Sequence, residues 1–124
     1  LYKQRLSPQE YDEIKLHTAW GEFLMDLAIP ELRGTTIHRF ACEICRYHHE
    51  RWDGGGYPDG LRSWEIPGYV QVIGLADAYD ALLAPRSYKR PLSHRMASNM
   101  IVRGNCGASY APLLVTFTEH ASVI

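Results

Sequence analysis

The sequence predicts an all-α fold, a bundle of about five helices, and three observations predict it. Apolar residues recur at helical spacing in several segments. Residue types that start and stop helices bracket those segments. No segment shows the sustained alternation of apolar and polar residues that is typical of a strand between turns. Because 124 residues suit one hydrophobic core, we expect a single domain over residues 1–124.

The first helix has a clear start signal. Ser7 suits the N-cap, Pro8 the first helical position and Glu10 the third position after the cap. The helix should end before Pro30, because the residue that precedes a proline disfavours the helical backbone. Its apolar residues are Ile14, Phe23, Leu24, Leu27 and Ala28.

A second helix should run from about Thr36 to His49. Its apolar stripe consists of Ile37, Phe40, Ala41, Ile44 and Cys45. The segment 53–60 that follows holds four glycines and one proline, so it cannot propagate a helix.

Three more helices complete the predicted bundle. The third should begin near Pro67 and end at Pro85, and it is apolar on several faces, so we expect it to be the most buried. The fourth should span Leu92 to Arg103, with Ser93 as its cap and Gly104 as its stop, and the fifth should run from Pro112 to about His120.

Composition excludes several classes of function. The chain has 46% hydrophobic and 22% charged residues and a formal net charge of -1, so it lacks the basic excess of a general nucleic-acid or membrane-surface binder. No apolar run is long enough to cross a bilayer, and the N-terminal residues show no signal-peptide pattern. The three cysteines have no disulfide spacing, which suits a reducing compartment. We therefore predict a cytoplasmic protein without nucleic-acid or membrane partners.

Cys42 and Cys45 form a C-x-x-C pair. A thioredoxin-like site would need a βαβ context, which the sequence does not offer. A zinc site that joins these cysteines to His48 and His49 fails on geometry, because Cys42 and His49 would lie roughly 10 Å apart along one helix. Two buried thiols on a helix are the favoured interpretation.

Four residues are candidates for chemistry at a metal ion. His48 and His49 are adjacent and precede Glu50, and neighbouring helical side chains point about 100° apart, so they suit two different ions, or one ligand and one supporting group. His17 lies in the middle of the first helix. Asp77 lies inside an apolar run, where a buried carboxylate would cost several kcal/mol without a metal or a hydrogen-bond network.

Each candidate also has a plain structural interpretation. A lone helical histidine such as His17 is more often a core or surface residue, and paired histidines also occur on ordinary surfaces. Asp77 could bridge a structural network with Tyr79 or His17. The remaining histidines show no partner pattern and are expected at the surface; they are His38, His94 and His120.

A long motif favours the functional interpretation of these residues over the structural one. Residues 48–61 read HHERWDGGGYPDGL, which resembles the HD-GYP signature HHExxDGxGYPxGL at every specified position. Agreement extends to Ile66-Pro67, to residues 75–82 (LADAYDAL) and to His17 followed by Gly21. The chain therefore resembles the HD-GYP family, a branch of the HD superfamily of metal-dependent phosphohydrolases, over essentially its whole length.

The resemblance implies an all-helical, HD-domain-like bundle that hydrolyses cyclic di-GMP in bacterial second-messenger signalling. It implies a site of two or three divalent metal ions, with iron or manganese expected, and phosphate groups held by Arg86 and Lys89. Tyr57 and Pro58 would shape the pocket wall, with Tyr57 stacked on a guanine. The implied metal ligands are His17, His48, His49 and Asp77, and the remaining motif positions are Glu50, Asp53, Gly54 and Gly56.

One part of the family's pattern is absent from the chain. Residues 1–16 contain no histidine, so the His-Asp pair that names the family is missing, and we expect an N-terminally truncated domain. Such a chain should bind at most one metal ion tightly and hydrolyse cyclic di-GMP weakly or not at all. Apolar surface left uncovered should favour a homodimer.

Two functions from different classes remain open at this point. The first is a phosphodiesterase, and the second is a catalytically silent module that senses cyclic di-GMP or docks a partner protein through the Gly-Tyr-Pro loop. Every metal-ligand position of the family that falls within this chain holds a histidine or an aspartate, which favours the enzyme. A general HD phosphohydrolase acting on nucleotides is a third interpretation, and the complete Gly-Tyr-Pro motif weakens it.

Overall fold

A computed structural model describes residues 6–85 and 91–121. Within these ranges the chain forms five α-helices and no strand, apart from one isolated bridge between Asp53 and Arg62. The all-α prediction is confirmed. The helices are α1 (Pro8–Ala28), α2 (Thr36–Tyr47), α3 (Gly68–Leu83), α4 (His94–Val102) and α5 (Ala111–His120), and short 3-10 turns cover Pro30–Leu32 and Ser63–Glu65.

The start of α1 follows the predicted capping box. Ser7 Oγ accepts a hydrogen bond from the backbone N–H of Glu10 at 3.2 Å, and the backbone N–H of Ser7 donates to Glu10 Oε2 at 2.7 Å. These two bonds satisfy backbone donors that have no partner within the helix. Thr35 and Ser93 cap α2 and α4 in the same way, through side-chain oxygens.

Helices α1 and α2 form an antiparallel hairpin. His17 on α1 faces His48 near the end of α2, while Gly21 and Glu22, one turn later on α1, contact Cys45 and Arg46, earlier on α2. The two helices therefore run in opposite directions. A Cβ on Gly21 would lie 3.2 Å from Cys45 Cβ, which shows how closely the two backbones approach. This hairpin places the middle of α1 beside the C-terminus of α2.

A small core lies among α3, α4 and the segment before α3. Its buried apolar residues are Ile66, Val70, Leu75, Ala97 and Ile101. Among the described helices α3 carries the most buried residues, as predicted, but Val72 and Ile73 on the same helix are exposed. The apolar surface of α3 is therefore only partly covered by the described residues.

Helix α1 exposes much of its apolar surface. Ile14, Phe23, Leu24 and Leu27, which the sequence marks as apolar positions, are each about half exposed, and Trp20 is 59% exposed. The hairpin with α2 covers the other side of α1. No helix in the described part of the chain is long and apolar enough to cross a membrane.

Candidate metal centre

The C-terminus of α2 delivers two histidines at the start of the glycine-rich segment. Tyr47 is the last helical residue, His48 is the C-cap, and His49 follows it outside the helix. On the other arm of the hairpin, α1 carries His17 to the same place. Residues that are 31 positions apart in sequence, His17 and His48, are thereby in direct contact.

The three predicted histidine ligands converge. His17 Nε2 and His48 Nε2 are 3.2 Å apart, and one nitrogen from each of His17, His48 and His49 lies within 4.8 Å of the others. Two nitrogen ligands of one ion, each about 2.1 Å from it, are roughly 3.0–3.4 Å apart. The His17–His48 distance therefore fits a shared ion.

Hydrogen bonds to backbone carbonyls fix which nitrogen is free. His17 Nδ1 lies 2.6 Å from the Ile14 carbonyl oxygen, and His48 Nδ1 lies 2.9 Å from that of Ile44. A carbonyl only accepts, so both Nδ1 atoms carry the proton and donate it. In the neutral form of both rings, two Nε2 lone pairs then face each other across 3.2 Å, and a shared cation would turn that repulsive contact into an attractive one. Metal-binding histidines commonly donate their other N–H to a carbonyl in this way, so the residues present fit a divalent ion.

His49 is held as a neutral ring. Its pKa is lowered to about 4, chiefly by burial and next by His48; Asp77 raises it, and His17 and Arg51 have smaller lowering effects. Its imidazole stacks on the Tyr57 ring, with centroids 4.8 Å apart and planes at 28°. A neutral imidazole at neutral pH keeps a lone pair available to a metal ion.

Asp77 occupies a different environment from the predicted one. Its side chain is exposed, so the expectation of a carboxylate buried in an apolar run is wrong. Helical spacing puts Asp77 on the same side of α3 as Val70 and Gly74, but the described chain covers that side at Val70 and Gly74 and leaves it open at Asp77. Asp77 lies outside the three-histidine cluster, although it is near enough to raise the pKa of His49 and of Tyr57. Its role as a ligand stays a prediction.

Glu50 organises the loop rather than the histidines. It is 5% exposed, and its carboxylate accepts three backbone hydrogen bonds, from Asp59 and Gly60 to Oε1 at 2.7 and 3.0 Å and from Leu61 to Oε2 at 3.0 Å. The buried negative charge is thus satisfied by N–H groups of the loop that follows. In this way Glu50 fixes the far end of the Gly-Tyr-Pro segment.

The other motif positions shape the near end of the loop. Gly54 has a φ of +81°, and Asp53 Oδ1 accepts the Gly55 N–H at 2.8 Å. A Cβ on Gly56 would lie 2.4–2.5 Å from backbone atoms of residues 49–51, so only glycine fits. The loop therefore folds back on the end of α2 and sets Tyr57 against His49, while Pro58 is exposed and follows a cis peptide bond.

Comparison with known proteins agrees with this geometry. The family model described as "HD domain" matches residues 2–111. The chain belongs to the HD-domain family. The predicted resemblance to its HD-GYP branch is confirmed, and the family implies dependence on a divalent metal ion.

Several curated relatives share the match. A protein named "Probable cyclic di-GMP phosphodiesterase" from Vibrio cholerae serotype O1 is 38% identical over 113 residues, covering 90% of this chain and 25% of the relative. The cyclic di-GMP phosphodiesterase response regulator RpfG from Xanthomonas campestris pv. campestris is 55% identical over 88 residues, 68% of this chain and 21% of the relative. The 3'3'-cGAMP-specific phosphodiesterase 2 of V. cholerae is 32% identical over 117 residues, which cover 94% of this chain and 21% of the relative. The chain thus spans a quarter or less of the length of these relatives.

Sequence reasoning missed three residues that tie this HD domain together. Arg46 bonds to Glu22 on α1 and to Asp59 in the loop. Its hydrogen bonds to Asp59 hold the pKa of that carboxyl below its ordinary value, and both carboxylates raise the pKa of the guanidinium. Glu22 and Asp59 are 24 and 13 positions away from Arg46 in the sequence, so no local pattern predicts these contacts. The only sequence signal for Arg46 is its position two residues before His48.

The other histidines of the HD domain lie away from the cluster. His38 is 8% exposed, so its predicted surface position is wrong: α2 folds its first turn against Asp26 of α1, whose Oδ1 is 3.6 Å from His38 Nε2. His94 is half-buried and hydrogen-bonded to the Tyr79 hydroxyl and the Ala121 carbonyl, again unlike a free surface residue. His120 is exposed, as expected, and bonds within its own helix.

A cavity of about 620 Å³ lies between the outer halves of α1 and α2. None of the three clustered histidines lines it, and the carboxylates of Glu22 and Asp26 do. The cavity is therefore separate from the candidate metal centre. The predicted phosphate-binding residues Arg86 and Lys89 lie outside the described residues.

Proposed function

We propose that this chain is part of a metal-dependent phosphodiesterase that hydrolyses cyclic di-GMP in bacterial second-messenger signalling. One observation carries the proposal: the Nε2 atoms of His17 and His48 lie 3.2 Å apart, with each Nδ1 against a backbone carbonyl, beside the ring of His49. The phosphodiesterase names of the relatives support the reaction class, and the complete Gly-Tyr-Pro motif supports a cyclic dinucleotide over a general nucleotide.

The chain's own residues have distinct roles in this proposal. His17, His48 and His49 would hold the metal, with Asp77 as a further ligand from α3, and we propose iron or manganese. A bound divalent ion lowers the pKa of water and stabilises negative charge on phosphoryl oxygens. Arg86 and Lys89 would grip the phosphates, since a guanidinium can bind two oxygens and an ammonium supplies a point charge. Tyr57 and Pro58 would bound the substrate side of the pocket.

Tyr57 has less freedom to stack on a guanine than its motif suggests. One face of its ring is against His49, at 4.8 Å between centroids, and its edge faces Tyr11 at 6.4 Å. Its contribution to substrate binding would then come from the remaining surface of the ring. We further propose a cytoplasmic location, because the three cysteines are free thiols.

The test is hydrolysis of cyclic di-GMP with manganese by the protein expressed from its complete reading frame, followed by chromatography of the products. Wild type and the control His120→Ala should convert the substrate, and His48→Ala should lose at least about a hundredfold in rate. Binding of cyclic di-GMP without any conversion would favour the silent sensing module instead.

A relative specific for 3'3'-cGAMP matches 94% of the chain, so the same assay should include that dinucleotide as a second substrate. Faster conversion of 3'3'-cGAMP would retain the phosphodiesterase and change its substrate. A partner protein on the Gly-Tyr-Pro loop and a homodimer stay predictions.

A further inference from the structure

Arg46 joins three separate segments through one side chain. Its Nη1 donates to Glu22 Oε2 at 2.6 Å, while Nε and Nη2 donate to Asp59 Oδ2 and Oδ1 at 2.8 and 2.9 Å. The bond to Asp59 is bidentate, which fixes orientation as well as distance. The Arg46 side chain is 27% exposed, so these contacts are partly shielded from solvent.

Each of the three segments carries part of the metal centre. Glu22 lies on α1, five residues after His17, and Arg46 itself lies two residues before His48. Asp59 lies two residues after Tyr57, whose ring stacks on His49. The guanidinium therefore connects the backbone of every histidine in the cluster to the Gly-Tyr-Pro loop.

The loop end of this connection is rigid. The backbone N–H of Asp59 donates to the buried carboxylate of Glu50 at 2.7 Å, while the side chain of Asp59 accepts from Arg46. Asp59 is thus held at both its backbone and its side chain. A displacement of Arg46 would release the side-chain hold on Asp59 and the tie to Glu22 on α1, while Glu50 and the bond from the Tyr57 N–H to the His49 carbonyl would keep the loop in place.

We infer that Arg46 is a positioning residue, which holds His17 and His48 at ligand distance from each other, with His49 beside them, and does not touch substrate. The inference rests on the proposed metal-dependent function, because positioning matters only if the cluster holds an ion. Supporting residues around a metal site commonly change metal affinity by about 10- to 100-fold.

A second ion pair on the same hairpin supplies a matched control. Arg33 donates to Asp26 Oδ2 at 2.9 Å and to the Asp26 carbonyl at 2.7 and 3.0 Å. It ties the far end of α1 to the turn before α2, and neither residue is part of the histidine cluster. A purely structural role would make the Arg33 and Arg46 variants behave alike.

The experiment measures the dissociation constant of Mn²⁺ and the free energy of unfolding for wild type, Arg46→Met, Arg46→Lys and Arg33→Met. We expect Arg46→Met to weaken manganese binding by about tenfold or more, and Arg33→Met to leave it within about twofold. Arg46→Lys, which keeps the charge and loses the bidentate geometry, should lie between wild type and Arg46→Met. Equal manganese affinity in Arg46→Met and Arg33→Met would overturn the inference.

Two further measurements keep the outcome decisive. If Arg46→Met does not fold, Glu22→Gln and Asp59→Asn each remove one arm of the connection, and each should weaken manganese binding. A nuclear Overhauser contact between the His17 and His48 rings, whose centroids are 5.3 Å apart, needs no metal. It should persist in Arg33→Met and be lost in Arg46→Met, and its survival in Arg46→Met would overturn the inference. Absence of manganese binding by the wild type contradicts the proposed function alone.

Discussion

At the scale of single residues, Glu50 determines the shape of the Gly-Tyr-Pro loop. Its carboxylate has no basic partner among the described hydrogen bonds and salt bridges, and three backbone N–H groups satisfy it instead. Hydrogen bonds to a buried charged acceptor are stronger than neutral ones. The sequence identified Glu50 as a motif position next to two histidines, but its partners are backbone groups, which no residue pattern identifies.

Removal of the Glu50 carboxylate should destabilise the domain. Glu50→Ala leaves three loop N–H groups without their acceptor, so we expect a loss of about 2–4 kcal/mol in the free energy of unfolding. Denaturant titration followed by circular dichroism measures it. Glu65→Ala is the control, because the exposed Glu65 accepts only one described hydrogen bond, from Arg62, and should cost less than about 1 kcal/mol. Equal losses in the two variants would contradict the assignment.

The Asp59–Arg46 pair should make stability depend on pH in one direction. Arg46 lowers the folded-state pKa of Asp59 below its ordinary value of 3.8. The stabilisation is therefore complete above that value and disappears as the pH falls through the lower, folded-state pKa. The difference in unfolding free energy between wild type and Asp59→Asn should be constant between about pH 5 and 7 and shrink below about pH 4.

The same difference measured in an Arg46→Met background identifies the cause. Without the guanidinium, the pH-dependent part of the difference should be much smaller, because only the Tyr47 hydrogen bond is left to lower the pKa of Asp59. A pH-dependent difference of undiminished size in the Arg46→Met background would show that Arg46 is not the main cause.

At the scale of elements, the helices could be predicted closely and their exposure could not. Caps and stops such as Ser7, Ser93 and Gly104 act locally, so the sequence placed the helix ends within about two residues. Exposure depends on which elements pack together. The sequence therefore predicted a buried Asp77, which is exposed, and a surface His38, which is buried.

The glycine-rich loop offers a sharp test of element packing. Gly56→Ala places a methyl group within 2.5 Å of the backbone of residues 49–51, so the end of α2 must move. We expect a loss of roughly 2 kcal/mol or more in stability and weaker manganese binding, because His49 moves with its backbone. Gly68→Ala is the control: apart from its chain neighbours and the backbone of its own helix, no atom lies within 4 Å of its Cβ position, and alanine in α3 should be neutral or stabilising. Wild-type metal affinity in Gly56→Ala would contradict this account.

At the scale of the whole molecule, the exposed apolar side of α1 predicts association. Trp20, Leu24 and Leu27 are each more than half exposed on this helix, and contiguous apolar surface on a soluble chain usually marks an interface. We expect concentration-dependent self-association of this chain in sedimentation velocity, reduced by Leu24→Glu. Val115→Glu changes an equally exposed residue on α5 and should leave association unchanged. A clean monomer at all concentrations would contradict the prediction.

The central claim is that His17, His48 and His49 converge on a divalent metal ion. The most direct measurement is the metal content of this chain, purified without chelators, by elemental analysis of wild type, His17→Ala, His48→Ala and the control His120→Ala. The account predicts about one iron or manganese ion per chain in wild type and His120→Ala. The His17→Ala and His48→Ala proteins should be nearly free of metal. Folded wild-type protein that contains no metal, and takes none up from manganese or ferrous solution, would contradict it.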